Sequence, residues 1–156
     1  LEIILKNLLI AVCLWALSAS LAADFSIDVP FSFGEIAVRN NNSVSTVTIS
    51  RHGIQQSTNQ ILILKTGAPG VFTVSGLHPY TIINLSVDLP AHSAMPYPNT
   101  AQFELTSVDI PSSVNLGPTG SAQFKMGGTL STSGNPSEHY YSGGQYVIYV
   151  NLNLDY

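Results

Sequence analysis

Asp24-Phe25-Ser26-Ile27-Asp28-Val29-Pro30-Phe31-Ser32-Phe33 alternates polar and apolar residues almost without a break. Successive side chains on a strand point to opposite faces, so Phe25, Ile27, Val29, Phe31 and Phe33 share one face. Pro30 has no amide to give to a ladder, which predicts a break or a sheet edge at that point.

The same period recurs down the chain. Val44 to Ser50 is β-branched and lies between Asn40-Asn41-Asn42 and Gly53. Ile61 to Leu64, Val71 to Ser75, Tyr80 to Leu89 and Gln102 to Val108 are further strand candidates, each bounded by Gly, Pro or polar clusters. Ala122 to Leu130 carries Gly127-Gly128 inside it, and paired glycines there predict a bulge or a close backbone approach. Pro90 to Pro98 and Ser131 to Ser142 predict loops. At the end of the chain Tyr146, Ile148, Val150, Leu152, Leu154 and Tyr156 alternate with Val147, Tyr149, Asn151, Asn153 and Asp155. This is the longest run, and it is expected to be a central strand with Ile148, Val150 and Leu152 buried, because a long exposed edge invites aggregation. No stretch after residue 22 keeps a helical period. The expected fold is an all-β, immunoglobulin-like antiparallel sandwich of about seven to nine strands.

Composition bounds what such a domain can do. Of 156 residues only 9% are charged and 45% are hydrophobic, while Ser, Thr and Asn supply 41. A disordered chain needs low hydrophobicity, so disorder is excluded for most of this one. The net charge of -4 argues against nucleic-acid binding, which needs a basic face.

Residues 1–22 have the pattern of a secretory signal peptide. Lys6 precedes the ten apolar residues Leu8 to Leu17, and Ser18-Ala19-Ser20-Leu21-Ala22-Ala23 offers small residues for cleavage after Ala22. A spanning helix would need about 20 apolar residues, so no membrane insertion is expected after removal of the leader. Cys13 leaves with it, and residues 23–156 form one domain without a disulfide. The expected location is the periplasm, the cell surface or the medium.

Catalytic and metal signals are weak. None of His52, His78, His92 and His139 lies three to five residues from another, so no metal or cofactor is expected. Among the carboxylates, only Glu138 neighbours a histidine, His139, and adjacent strand residues face opposite ways. No nucleophile elbow, phosphate loop or calcium loop occurs, and a carboxylate pair would have to be assembled across loops. The chain is therefore expected not to be an enzyme. Tyrosines are the more informative residues. Tyr97 sits between Pro96 and Pro98, and Tyr140-Tyr141 lies in a Ser/Gly/Asn stretch, which makes Tyr97, Tyr140 and Tyr141 candidates for stacking on a ligand.

A family resemblance runs through these segments. Phe33-Gly34-Glu35-Ile36 resembles the opening of a bacterial exported family, domain of unknown function 4402. Val47-Thr48-Ile49-Ser50 with Gly53, Gly70-Val71-Phe72-Thr73-Val74-Ser75-Gly76, Tyr80-Thr81-Ile82 and Leu89-Pro90 are similar to its following segments. Phe124-Lys125-Met126-Gly127-Gly128-Thr129-Leu130 and Tyr141 to Val150 resemble its last two strands. The ending also resembles pilin subunits of chaperone–usher fimbriae. The resemblance implies a fimbria-like structural or adhesive surface protein whose partners are other copies of itself or fimbrial subunits. The alternative is a carbohydrate-binding module whose partners are glycans. For assembly, the candidate is Phe25, Ile27 and Val29, on a strand that completes a sandwich by strand addition. Completion of its own domain is favoured, since the few residues before Pro30 reach only ~3.3 Å each.

Overall fold

The computed structural model describes residues 23–98 and 100–156; the expected signal peptide, residues 1–22, lies outside the described residues. The strands are β1 (Asp24–Val29), β2 (Glu35–Val38), β3 (Thr46–Ile49), β4 (Gln55–Ser57), β5 (Ile61–Lys65), β6 (Gly70–Ser75), β7 (Ile82–Val87), β8 (Ala91–His92), β9 (Glu104–Asp109), β10 (Ser113–Asn115), β11 (Ala122–Ser131) and β12 (Leu152–Asp155). The described chain is all-β, and every pairing is antiparallel. Twelve strands exceed the seven to nine expected, because β4, β8 and β10 add two- or three-residue pairings in stretches that look like connections.

A seven-stranded sheet runs β1-β6-β11-β3-β4, with β9 also on β11 and β8 on β9; β10-β7-β12 and β2-β5 form two smaller sheets. Together they make a sandwich-like fold with two apolar clusters. In the first, Phe72 and Val74 of β6 and Phe124 and Met126 of β11 meet Ile83 and Leu85 of β7, with Leu152 and Leu154 of β12 at the margin. In the second, Val47 and Leu130 meet Ile61 and Phe103, with Ile36 and Val38 of β2 against them. Each smaller sheet thus covers one end of the large one, burying the apolar face that alternation creates.

β11 is the longest strand and the hub. Its first half, Ala122–Met126, pairs with β6, and its second half pairs with both β3 and β9. Gly127 sits at the changeover. A side chain there would collide with the carbonyl of Ile49, and one at Gly128 would press on the Ser107 carbonyl at 2.9 Å. The glycines are therefore a close backbone approach, and the β9 register shifts just beyond them, between Thr129 and Leu130.

The end of the chain departs from expectation. β12 is four residues long, pairs only with β7 and forms a sheet edge. The alternation persists, with Ile148, Val150 and Leu152 half-buried and Val147, Tyr149 and Asn151 exposed. Before β12, however, the segment makes scattered bonds instead of a ladder. Ala94 donates to the Val147 carbonyl at 2.8 Å, Ser93 bridges Ile148, and Asp88 donates to the Asn151 carbonyl at 3.1 Å. The proline-rich segment 90–98 thereby occupies part of an edge that a continuous strand would have left open.

Candidate binding groove and its tyrosines

The loops expected at 90–98 and 131–142 come together. Ala101 donates to the His139 carbonyl at 2.9 Å, and between these segments lies an open groove of about 460 Å³. Its walls include His92, Thr100, Gln102 and Glu104 on one side and Ser133, Ser137 and Glu138 on the other. His92 and Glu104 are direct partners in the β8–β9 ladder, so their side chains share a face. Sequence spacing drew attention to Glu138-His139 instead, because a cross-strand register has no local signature.

Asn41 fixes the far wall. It is buried, and its amide nitrogen donates to Ser133 Oγ at 3.0 Å, to the Asn135 carbonyl at 2.8 Å and to the Glu138 carbonyl at 3.2 Å. Its oxygen accepts from the Gly134 amide at 3.0 Å. One side chain between β2 and β3 thus sets the shape of a loop more than ninety residues further along. Asn41 was legible in the sequence only as turn punctuation.

The three candidate tyrosines separate into two roles. Tyr140 packs face to face on Phe103 at 4.3 Å and lies near Tyr146. Its hydroxyl donates to the Gln102 carbonyl and accepts from the Ser133 amide, each at 3.2 Å, tying the two walls together. Burial pushes its phenol pKa up, against the opposing effect of the Ser133 hydrogen bond. Tyr97 and Tyr141 instead meet each other at 4.4 Å with ring planes 53° apart, and they remain 52% and 46% exposed. The Thr100 hydroxyl, on the groove wall, donates to the Tyr97 carbonyl at 2.8 Å.

The other candidate set, Phe25, Ile27 and Val29, lies on β1, which pairs with β6 of the same chain and is the outermost strand of the large sheet. Phe25 stands opposite Val74, and Ile27 opposite Phe72, on the core side of the sheet, but the register shift at Asp28 sets Val29 opposite Val71, on the outer side, so the three residues do not share the single face that alternation predicts. All three are exposed, at 38%, 61% and 41%. On the outer side Asp28, skipped by the register, accepts from Thr73 and Gln123, which hold its carboxyl below the usual carboxylate range.

Among the described residues no group of three or more His, Cys, Asp or Glu side chains is placed to hold a metal ion, and no helix is long and apolar enough to cross a membrane. The family model described as Domain of unknown function (DUF4402) matches residues 24–152. Neither the curated proteins nor the solved structures contain a match.

Proposed function

From the premise that this chain belongs to the family Domain of unknown function (DUF4402), we propose that it is an exported, non-enzymatic structural or adhesive subunit of a bacterial surface, fimbria-like in its build. The observation that carries the reading is β1. It is the outermost strand of the large sheet, with one edge unpaired among the described residues and with Phe25, Ile27 and Val29 exposed. Such a strand suits completion of a sandwich by strand addition, within the chain or between copies. The leader pattern of residues 1–22 supports export.

Fractionation of expressing cells, with terminal sequencing, tests the export. The protein should appear in the periplasmic or surface fraction with Ala23 first; recovery from the cytoplasm with residues 1–22 attached would overturn it. Deletion of residues 23–29, followed by light scattering and thermal melting, tests the strand. Loss of stability in a monomer marks self-completion, and loss of concentration-dependent chains marks donation. An intact monomer that melts unchanged after the deletion would refute both.

A second reading, recognition of glycans, is favoured by one observation. Tyr97 and Tyr141, distant in sequence, form an exposed aromatic pair joined to a polar groove through Thr100, a wall residue whose hydroxyl donates to the Tyr97 carbonyl.

A further inference from the structure

We propose that the groove lined by His92, Thr100, Gln102, Glu104, Ser133 and Glu138, together with the Tyr97–Tyr141 pair, binds a short neutral oligosaccharide. This deepens the adhesive reading above and rests on it.

The groove's lining matches a polyhydroxylated ligand. About 460 Å³ falls in the range of small-molecule sites, roughly 300–1,000 Å³. Gln102 keeps one amide hydrogen and its carbonyl oxygen beyond its bond to the Ser93 carbonyl, His92 offers a ring N–H, Glu104 accepts, and the Thr100 oxygen, whose proton goes to the Tyr97 carbonyl, can still accept. Sugar hydroxyls need both kinds of partner. No Lys or Arg lines the groove, so a sialylated or uronate-bearing glycan would bring its charge towards two carboxylates without a cation to meet it.

A basic peptide is the competing occupant, and the hydrogen bonding argues against it. Both oxygens of Glu138 are already engaged, by Ser133 Oγ at 2.6 Å and by the Asn135 amide nitrogen at 3.0 Å. That leaves each Glu138 oxygen one lone-pair site beside the uncommitted Glu104, too little carboxylate for a polycationic strand.

The tyrosine pair sets the ligand's shape. A pyranose ring presents an apolar C–H face that packs on an aromatic ring, while the phenol tip stays wet. Two rings tilted by 53° give two faces at an angle. A flat polysaccharide surface would require coplanar faces, so the pair fits a chain end or a short bent oligosaccharide. The walls are set in advance by the four bonds of Asn41 and by the Tyr140 hydroxyl, which limits the ordering cost of binding.

The experiment uses the mature protein on immobilised neutral gluco-, galacto- and manno-configured oligosaccharides, with sialylated and uronate glycans and polylysine alongside. Retention on a neutral set is expected. The double substitution Tyr97→Ala/Tyr141→Ala should weaken it about tenfold or more. Glu104→Gln, which keeps size and removes charge, should weaken it several-fold while melting unchanged. Failure to retain any neutral glycan, retention of polylysine alone, or binding indifferent to the double substitution would overturn the proposal. Fractionation of cells carrying the double variant keeps the two readings apart. A surface-located protein that binds no glycan defeats this proposal and leaves the surface role standing, whereas a cytoplasmic protein defeats the surface role itself.

Discussion

The Thr73 hydroxyl donates to the Asp28 carboxylate at 2.6 Å across the β1–β6 ladder, and Gln123 of β11 adds a second bond at 2.9 Å. A bulged residue on an edge strand is thereby tied to two strands behind it. Because the bonds favour the ionised form, the folded pKa of Asp28 lies below its unfolded value. Its contribution is present above the ordinary carboxylate range and is lost as pH falls through the lowered folded value. Protection of the β1 amides, relative to intrinsic exchange at the same pH, should therefore fall in acid, and Asp28→Asn should remove that acid-dependent part. Identical acid profiles for the two proteins would contradict this.

Asn41→Ala removes one acceptor and leaves the Gly134 amide without its partner. A cost of about 1–3 kcal/mol in denaturant unfolding is expected. Exchange protection should fall across residues 133–138, whose carbonyls and hydroxyl the amide holds. Protection unchanged in that loop would show that Asn41 does not set its shape.

Tyr140→Phe keeps the ring on Phe103 and deletes the hydroxyl bridge, so a loss of about 1 kcal/mol is expected. The phenol's raised folded pKa means that its contribution is complete below the unfolded value and is lost as pH climbs through the folded one. Alkaline melting curves of wild type and variant should converge there. A constant gap at all pH values would contradict the assignment.

Glycine positions can be told apart by what surrounds them. At Gly127 an alanine methyl would meet the Ile49 carbonyl, so Gly127→Ala should cost about 3 kcal/mol or more by displacing β3 from β11. At Gly143, with φ of 77° and nothing within 4 Å, Gly143→Ala should cost only about 1 kcal/mol of backbone strain. Equal melting temperatures for the two would refute the close approach.

Val150 and Asn151 test the face of the terminal segment. Val150→Asp places a charge on the half-buried side and should cost about 1–3 kcal/mol, while Asn151→Asp, on the exposed side, should cost under about 1 kcal/mol. Equal losses would mean that the alternation is out of phase.

Which face a residue occupies was legible in the sequence, and which neighbour it meets was not. Period-two alternation put Ile148, Val150 and Leu152 on one half-buried face and Phe25 with Ile27 on the core side, since the pleat requires it, while the bulge at Asp28, which alternation does not mark, turned Val29 to the other side. The same rule could not reveal that 141–151 would lie against the proline-rich segment, because edge or centre depends on distant strands. Tyr140 and Tyr141 are adjacent and identical in type, yet Phe103 covers one and leaves the other to Tyr97. The pairing of His92 with Glu104 follows from an inter-strand register, for which neither residue carries a local mark.

β11 delivers Phe124 and Met126 to one apolar cluster and Leu130 to the other. A strand held in common leaves neither half able to melt by itself without pulling the ladder from the other. The domain should accordingly lose its structure in one cooperative transition, with the slowest-exchanging amides concentrated between Met126 and Ser131. Folding should wait on that same strand, whose partners β3, β6 and β9 are scattered through the chain and can be gathered only by closing long loops. Until it docks, the nascent sheets have no common spine.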